Sequence, residues 1–313
     1  MVRLPAHGEW EASLGEGAPI AVVAIFGPTG VGKTAIAIEV AELLREREED
    51  PVAVSCDAIQ VYRGLETLSG AATPEERRRL EHRLIGFVEV TGEFSAGRFA
   101  TLAHAEIDQL LAEGRRPIVV GGTGLYLRAA LADLDLRPPV PAEVRTAVER
   151  EIAARGPEAV HAELDPDVAL TVHPRDRKRV ARALELQRAG IEPPRGSEQL
   201  WTASLRRPTL LVGLTMDRDE LARRIDDRVE EMVTAGAAEE ARLADRAGAS
   251  RTARAALGFN ELLAGDTEAV KRAHRAYARR QLAWMRKMPG VVLIDRAGRP
   301  DRDVAREIVT DLE

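Results

Sequence analysis

The sequence predicts an α/β fold: a parallel sheet flanked by helices and carrying a helical insertion domain. Three observations predict it. Short apolar, β-rich runs alternate with stretches of helical periodicity. A glycine-rich stretch joins the first such run to the first helix. Two proline clusters, Arg137-Pro-Pro-Val-Pro141 and Glu192-Pro-Pro-Arg-Gly196, bracket a middle region with helical periodicity and little strand signal.

Taken in order, residues 1–18 read as a flexible N-terminal extension rich in Gly, Ala and Glu. Ile20–Phe26 is a strand, and a helix follows from Lys33 to about Arg47. Pro51–Ser55 is a strand ending at Cys56-Asp57. After a loop, Ser95 caps a helix running to about Glu113. Pro117–Val120 is a short buried strand that Gly121-Gly-Thr-Gly124 turns into another helix. The insertion covers residues 137–206, so the core is 19–136 and 207–313. In its second half Thr209–Thr215 resumes the sheet. Helical patterns then cover Arg218–Ala247 and Thr267–Met288, and Val291–Ile294 and Asp301–Leu312 supply a last strand and helix. Such βα alternation places ligands at the carboxyl ends of the strands.

At 313 residues, 45% hydrophobic and 31% charged, the chain supports a substantial core and a soluble surface. No run approaches the roughly 18–20 apolar residues of a membrane span, and the first residues lack the apolar stretch of a secretory signal. A single cysteine, Cys56, excludes an internal disulfide framework and fits a reducing cytoplasm. Its apolar strand context reads as packing. The net charge of −6 does not advertise nucleic-acid binding, but the basic residues are clustered. Arg175, Arg177, Lys178, Arg179 and Arg182 form one group, and Ala269–Ile294 holds seven Lys and Arg with no acid. On the latter, Arg272, Arg275, Arg279 and Arg286 fall near one helical face, and Tyr277, Gln281, Trp284 and Met288 share another that reads as core. Basic patches of this kind track a phosphate backbone, although solvated helix faces look the same.

The segment Gly27-Pro28-Thr29-Gly30-Val31-Gly32-Lys33-Thr34 fits the phosphate-loop pattern G-x-x-x-x-G-K-[ST], between a strand and a helix as the pattern requires. Its amides and the positive helix end bind phosphate oxygens, Lys33 adds a point charge, and the Thr34 hydroxyl is placed for Mg²⁺. The fold is therefore expected to be P-loop NTPase-like, binding a di- or triphosphate. Asp57, ending the next strand, points toward that loop as a metal-holding group or a general base.

Further segments carry a resemblance. Ser55-Cys-Asp-Ala-Ile-Gln-Val-Tyr-Arg-Gly64 resembles the D-S-M-Q-V-Y-R-G segment of the tRNA dimethylallyltransferases, also called tRNA isopentenyltransferases. Gly27–Thr34 is similar to their G-P-T-x-x-G-K-T loop and Gly92–Phe99 to E-x-S-x-x-x-F. Val120–Tyr126 resembles G-G-T-G-L-Y, Arg179–Glu185 R-I-I-R-A-L-E, Leu257–Leu262 I-G-Y-x-E-L, and Arg279–Arg286 K-R-Q-x-T-W-x-R. The matches keep their order from residue 27 to residue 286. Two departures stand out: Ala58-Ile59 replaces Ser-Met, and Leu68-Ser-Gly-Ala-Ala-Thr73 replaces T-A-K-P-T and loses a lysine.

The resemblance implies transfer of a dimethylallyl group from dimethylallyl diphosphate to the exocyclic amine of the adenine 3′ to the anticodon in certain tRNAs, with release of diphosphate. It implies Asp57, Thr123 and Arg224 as catalytic residues, Arg228 being the second choice for the basic partner. The phosphate loop, Gly27 to Thr34, would hold the diphosphate, with Thr34 on Mg²⁺. Asp57, Ala58, Ile59, Gln60 and Thr123 would meet the target nucleotide, with Gln60 reading the adenine edge, and Lys178, Arg179 and Arg182 in the insertion would contact the anticodon stem-loop. A cytoplasmic monomer with no membrane association is expected. An adenylate isopentenyltransferase shares the loop but has less need of the basic insertion. A small-molecule kinase would need a lid with paired arginines, and a non-catalytic nucleotide-binding module would not need Asp57, Thr123 and Lys33 together.

Overall fold

The computed structural model describes residues 19–193 and 198–312. The extension expected at 1–18 and Pro194, Arg195 and Gly196 of the second proline cluster lie outside the described residues. The chain forms two compact units: Met1–Leu134 with Leu200–Glu313, and Asp135–Gln199.

The first unit is built on six strands: β1 (Val22–Phe26), β2 (Pro51–Ser55), β3 (His82–Arg83), β4 (Arg116–Gly121), β5 (Thr209–Thr215) and β6 (Val292–Asp295). They lie in the order β3-β2-β4-β1-β5-β6, and every neighbouring pair is parallel. β1 and β2 are buried at every residue, as continuous apolar runs must be when both faces are covered. Register does the functional positioning. Phe26 lies opposite both Gly121 and Gly213, and Ser55 opposite Val120. The segments leaving β1, β2 and β4 therefore emerge side by side at one edge of the sheet.

Helix Lys33–Arg45 seals one face with Ile36, Val40 and Leu44 against Val23, Ile25, Ile118 and Val212, and the final helix, Asp301–Thr310, adds Val304 and Ile308. Each such aliphatic contributes about 1.5–3 kcal/mol relative to leaving it in water. Helix Ala96–Ala112 starts where Ser95 accepts the Arg98 amide at 3.2 Å, as its N-cap role predicts.

Three local features differ from the sequence reading. The helical pattern over 218–247 is two helices, Arg218–Thr234 and Ala237–Arg246, separated by a turn at Gly236. The segment read as a loop between Asp57 and Ser95 contains helices Glu66–Ser69 and Pro74–Arg79 and the two-residue edge strand β3. The second of these helices is stabilised by a capping box between Thr73 and Glu76. Leu200–Arg206, which the proline brackets assign to the insertion, belongs to the first unit: Trp201 packs at a tilt against Trp284 with centroids 4.8 Å apart, and Arg206 pairs with Asp108 at 3.0 Å.

The second unit is helical. Helices Ala142–Arg155, Pro157–His161, Pro166–Ala169 and Arg177–Arg188 close over a small core of Val148, Ile152, Val160, Leu164, Val180 and Leu184. Among the described residues no helix is long and apolar enough to cross a membrane.

Candidate active site

Gly30 and Gly32 adopt φ of 82° and 92°, a region that side chains disfavour. That backbone carries the chain from β1 into a helix whose first residue is Lys33. The loop's amides and the helix end make a site for anions. Lys33 folds back over the loop and donates to the carbonyls of Gly27 and Pro28, each at 3.0 Å. Burial first, and then the nearby Arg228 charge, bring its pKa down to about 8, against the opposing influence of Asp57 and Cys56.

Arg224 fastens the loop from helix Arg218–Thr234, its Nε donating to the Gly30 carbonyl at 3.1 Å. One turn on, Arg228 donates to the Gly70 carbonyl at 3.1 Å, and burial lowers its pKa. Neither guanidinium spends itself on the neighbouring acids of its own helix: Asp226 pairs with Arg275 instead.

Asp57 follows β2 and ends in an Asx turn. Its Oδ1 accepts the amides of Ile59 at 2.8 Å and Gln60 at 3.3 Å. Its Oδ2 accepts the Thr123 hydroxyl at 3.1 Å. Thr123 occupies the N-cap position of helix Gly124–Leu131, yet its side chain makes no cap hydrogen bond. The hydroxyl is turned to the carboxylate instead. Ala58 and Ile59 form the half-buried body of the Asx turn. Gln60 is held at both ends of its amide, by Ser55 Oγ at 2.8 Å and by the Gly70 carbonyl at 3.3 Å. Cys56 is buried and its thiol pushed far up by desolvation, which fits a packing residue and not a nucleophile.

Helix Thr267–Met285 contributes two side chains that the sequence reading gave to the core. Gln281 accepts the Thr29 amide at 2.8 Å and donates to the Gly122 carbonyl at 2.7 Å. Tyr277 lies 3.2 Å from the Thr123 hydroxyl. Gln281 is buried, as a core residue would be, but its amide joins the phosphate loop to the glycine turn. A polar, amide-bearing residue on an otherwise apolar helical stripe was the signal that could have found it. Gly122 is a glycine because a Cβ there would approach Gln281 Nε2 to 2.3 Å. Arg296, also missed, reaches from the end of β6 to the Val31 carbonyl and pairs with Asp301.

The structure thus brings Gly27–Thr34, Asp57, Thr123, Arg224 and Arg228 together at the carboxyl ends of β1, β2 and β4. The basic residues of the second unit are described within it. Lys178 and Arg179 are exposed on helix Arg177–Arg188. Arg182 is occupied locally, donating to the carbonyls of Arg137 and Pro138 at 3.2 and 2.7 Å. On helix Thr267–Met285, Arg272 lies 3.7 Å from Asp266 and Arg275 pairs with Asp226, whereas Arg279 is exposed, as is Arg286 at the helix end. No group of three or more His, Cys, Asp or Glu side chains suited to a metal stands together among the described residues.

Residues 60–288 match the family model of the IPP transferases. The chain is 42% identical over 286 residues to a tRNA dimethylallyltransferase of Anaeromyxobacter dehalogenans, covering 87% of this chain and 94% of that one. It belongs to the tRNA dimethylallyltransferase family. A second relative of that name, from Thermobifida fusca, is 39% identical over 86% of this chain and 88% of its own. Among solved structures, the tRNA isopentenylpyrophosphate transferase of Bacillus halodurans is similar with a TM-score of 0.66 and 31% identity, over 93% of this chain and 96% of that one. A eukaryotic dimethylallyltransferase described as acting on tRNA gives a TM-score of 0.69 at 27% identity, over 88% of this chain and 74% of its own. The family and the P-loop-type parallel sheet expected from the motifs are therefore those the chain has.

Proposed function

We propose that the protein transfers a dimethylallyl group from dimethylallyl diphosphate to the exocyclic amine of the adenine 3′ to the anticodon of certain tRNAs, releasing diphosphate. Family membership supports the reaction class. The observation that carries the chemistry is the Asp57–Thr123 pair beside the phosphate loop, with Asp57 near enough to Lys33 to act on its charge.

The amine is a poor nucleophile because its lone pair is delocalised into the purine. As it attacks the allylic carbon, a C–N bond forms, the C–O bond to diphosphate breaks, and that bond's electrons pass to the leaving oxygen. The amine becomes acidic on attack, and Asp57 takes its proton, a role commonly worth about 10²–10⁴-fold. Thr123 holds Oδ2 in place. The loop amides, Lys33 and Arg224 meet the charge growing on diphosphate. The loop therefore grips a leaving group, and no ATP cleavage is required.

Mg²⁺ fits this donor set. With no carboxylate cluster among the described residues, the ion would be held by the Thr34 hydroxyl and diphosphate oxygens, the all-oxygen, substrate-shared environment that Mg²⁺ favours. When bound, it adds positive charge at the leaving group.

The adenine must leave its stack at a cost of a few kcal/mol, which contacts to the tRNA backbone offset. Lys178, Arg179 and Arg182 of the second unit, with exposed Arg279 and Arg286, are the cations assigned to the anticodon stem-loop. Gln60, Ala58 and Ile59 line the approach of the base. The enzyme acts as a cytoplasmic monomer. The test is incubation with labelled dimethylallyl diphosphate and either tRNA, AMP, or a nucleoside with ATP. Label is expected in tRNA; label in AMP would overturn the reading.

A further inference from the structure

We propose that Tyr277 is a positioning residue, whose phenol fixes the Thr123 hydroxyl so that its hydrogen points at Asp57. This rests on Asp57 being the base of the reading above. Thr123 Oγ1 stands 3.1 Å from Asp57 Oδ2 and 3.2 Å from the Tyr277 oxygen. A hydroxyl has one hydrogen to give, and a carboxylate can only accept. The Thr123 hydrogen therefore goes to Asp57, and the hydrogen between Thr123 and Tyr277 comes from the phenol. The phenol's other neighbour, the Gly122 carbonyl, is 3.4 Å away and already accepts Gln281 Nε2 at 2.7 Å. Burial, with the Asp57 charge nearby, pushes the Tyr277 pKa up to about 12, which keeps it a donor throughout the working range.

The ring is fixed as well. Tyr277 sits one residue from buried Ala278 and one turn from buried Gln281, and the Arg280 guanidinium lies 5.4 Å from its ring centroid. The consequence concerns one oxygen. Asp57 Oδ1 is saturated by the Ile59 and Gln60 amides, so Oδ2 is the oxygen left for an incoming proton. Thr123 sets the direction of its remaining lone pair, and Tyr277 sets Thr123. Consecutive hydrogen bonds of this kind reinforce one another.

The experiment uses the full chain and single-turnover prenyl transfer at saturating dimethylallyl diphosphate and tRNA. Tyr277→Phe keeps the ring and is expected to slow transfer roughly three- to tenfold, the loss of about one neutral hydrogen bond, with both KM values and the melting temperature close to wild type. In a Thr123→Val background the same substitution is expected to have no further effect, since the group it acts through is gone. A wild-type rate for Tyr277→Phe overturns the inference. So does an equal loss in the Thr123→Val background, which would mark a packing role. Failure of the wild-type protein to prenylate tRNA would instead remove the underlying reading, so the two failures are distinct.

Discussion

Gln281 accepts a hydrogen bond from the Thr29 amide at 2.8 Å, tying a helix near the end of the chain to the phosphate loop near its start. The same amide group donates to the Gly122 carbonyl, so one side chain links the phosphate loop to the turn that bears Thr123. Gln281→Leu would leave the Thr29 amide without its partner and the Gly122 carbonyl with only the longer contact to Tyr277, at about 1–3 kcal/mol for each group left unsatisfied. The melting temperature is expected to fall by about 4 °C or more, and KM for dimethylallyl diphosphate to rise. Unchanged values for both would show that the bridge positions nothing.

Lys33 gives the clearest pH dependence. Its pKa in the free protein is about 8, so its positive charge is present below that pH and lost as pH rises through it. kcat/KM for dimethylallyl diphosphate, which reports the free enzyme, should therefore fall on an alkaline limb near pH 8. In the complex the diphosphate charge favours the ammonium form, so kcat should hold to higher pH. Lys33→Arg should flatten the limb in kcat/KM. A wild-type profile level until the ordinary lysine range would contradict this.

The two arginines of helix Arg218–Thr234 separate by what they hold. Arg224 binds the loop carbonyl of Gly30, and Arg228 the carbonyl of Gly70. Arg224→Gln is expected to lower kcat/KM for dimethylallyl diphosphate by roughly 10²–10³-fold, with tRNA affinity kept. Arg228→Gln should act more on melting temperature. Steady-state kinetics of both variants, side by side, decide which guanidinium meets the leaving group; the reverse pattern would exchange their roles.

Much of the fold was legible because its signals are local. Pro51–Ser55 and Thr209–Thr215 read as strands at the ends they have, since buried parallel strands are continuous apolar runs bounded by turns. The segment from Asp57 to Ser95 was less legible. Its helix Glu66–Ser69 is held by Glu240, which accepts the Thr67 and Leu68 amides across more than 170 residues of sequence, and no local period encodes that. Within the site, Asp57, Thr123 and the phosphate loop follow from motifs placed at strand ends. Tyr277 and Gln281 did not, because helical spacing assigns a face, and the same face can pack and hold a loop. Charge patterning misled in part: Arg272 lies beside Asp266, the N-cap of its own helix just before the acid-free run, and Arg275 pairs with Asp226 from another helix.

Exposed Lys178 and Arg179 should act through phosphate. Replacing both by Ala is expected to raise KM for tRNA and to reduce the slope of log affinity against log salt by about 0.7–0.9 for each phosphate no longer neutralised. The single-turnover rate at saturating tRNA should be unchanged. Arg182→Ala should add a loss of melting temperature, because that guanidinium holds the Arg137 and Pro138 carbonyls. A salt slope equal to wild type in the double variant would take these residues off the tRNA.

The most direct measurement is the single-turnover rate of Asp57→Asn with both substrates bound. Asparagine keeps an oxygen for the Ile59 and Gln60 amides but cannot serve as the base at neutral pH. Transfer to tRNA is expected to slow by about 10²–10⁴-fold while the variant still binds tRNA and dimethylallyl diphosphate. A rate near wild type would mean that another group removes the proton, and the account of this site would be wrong.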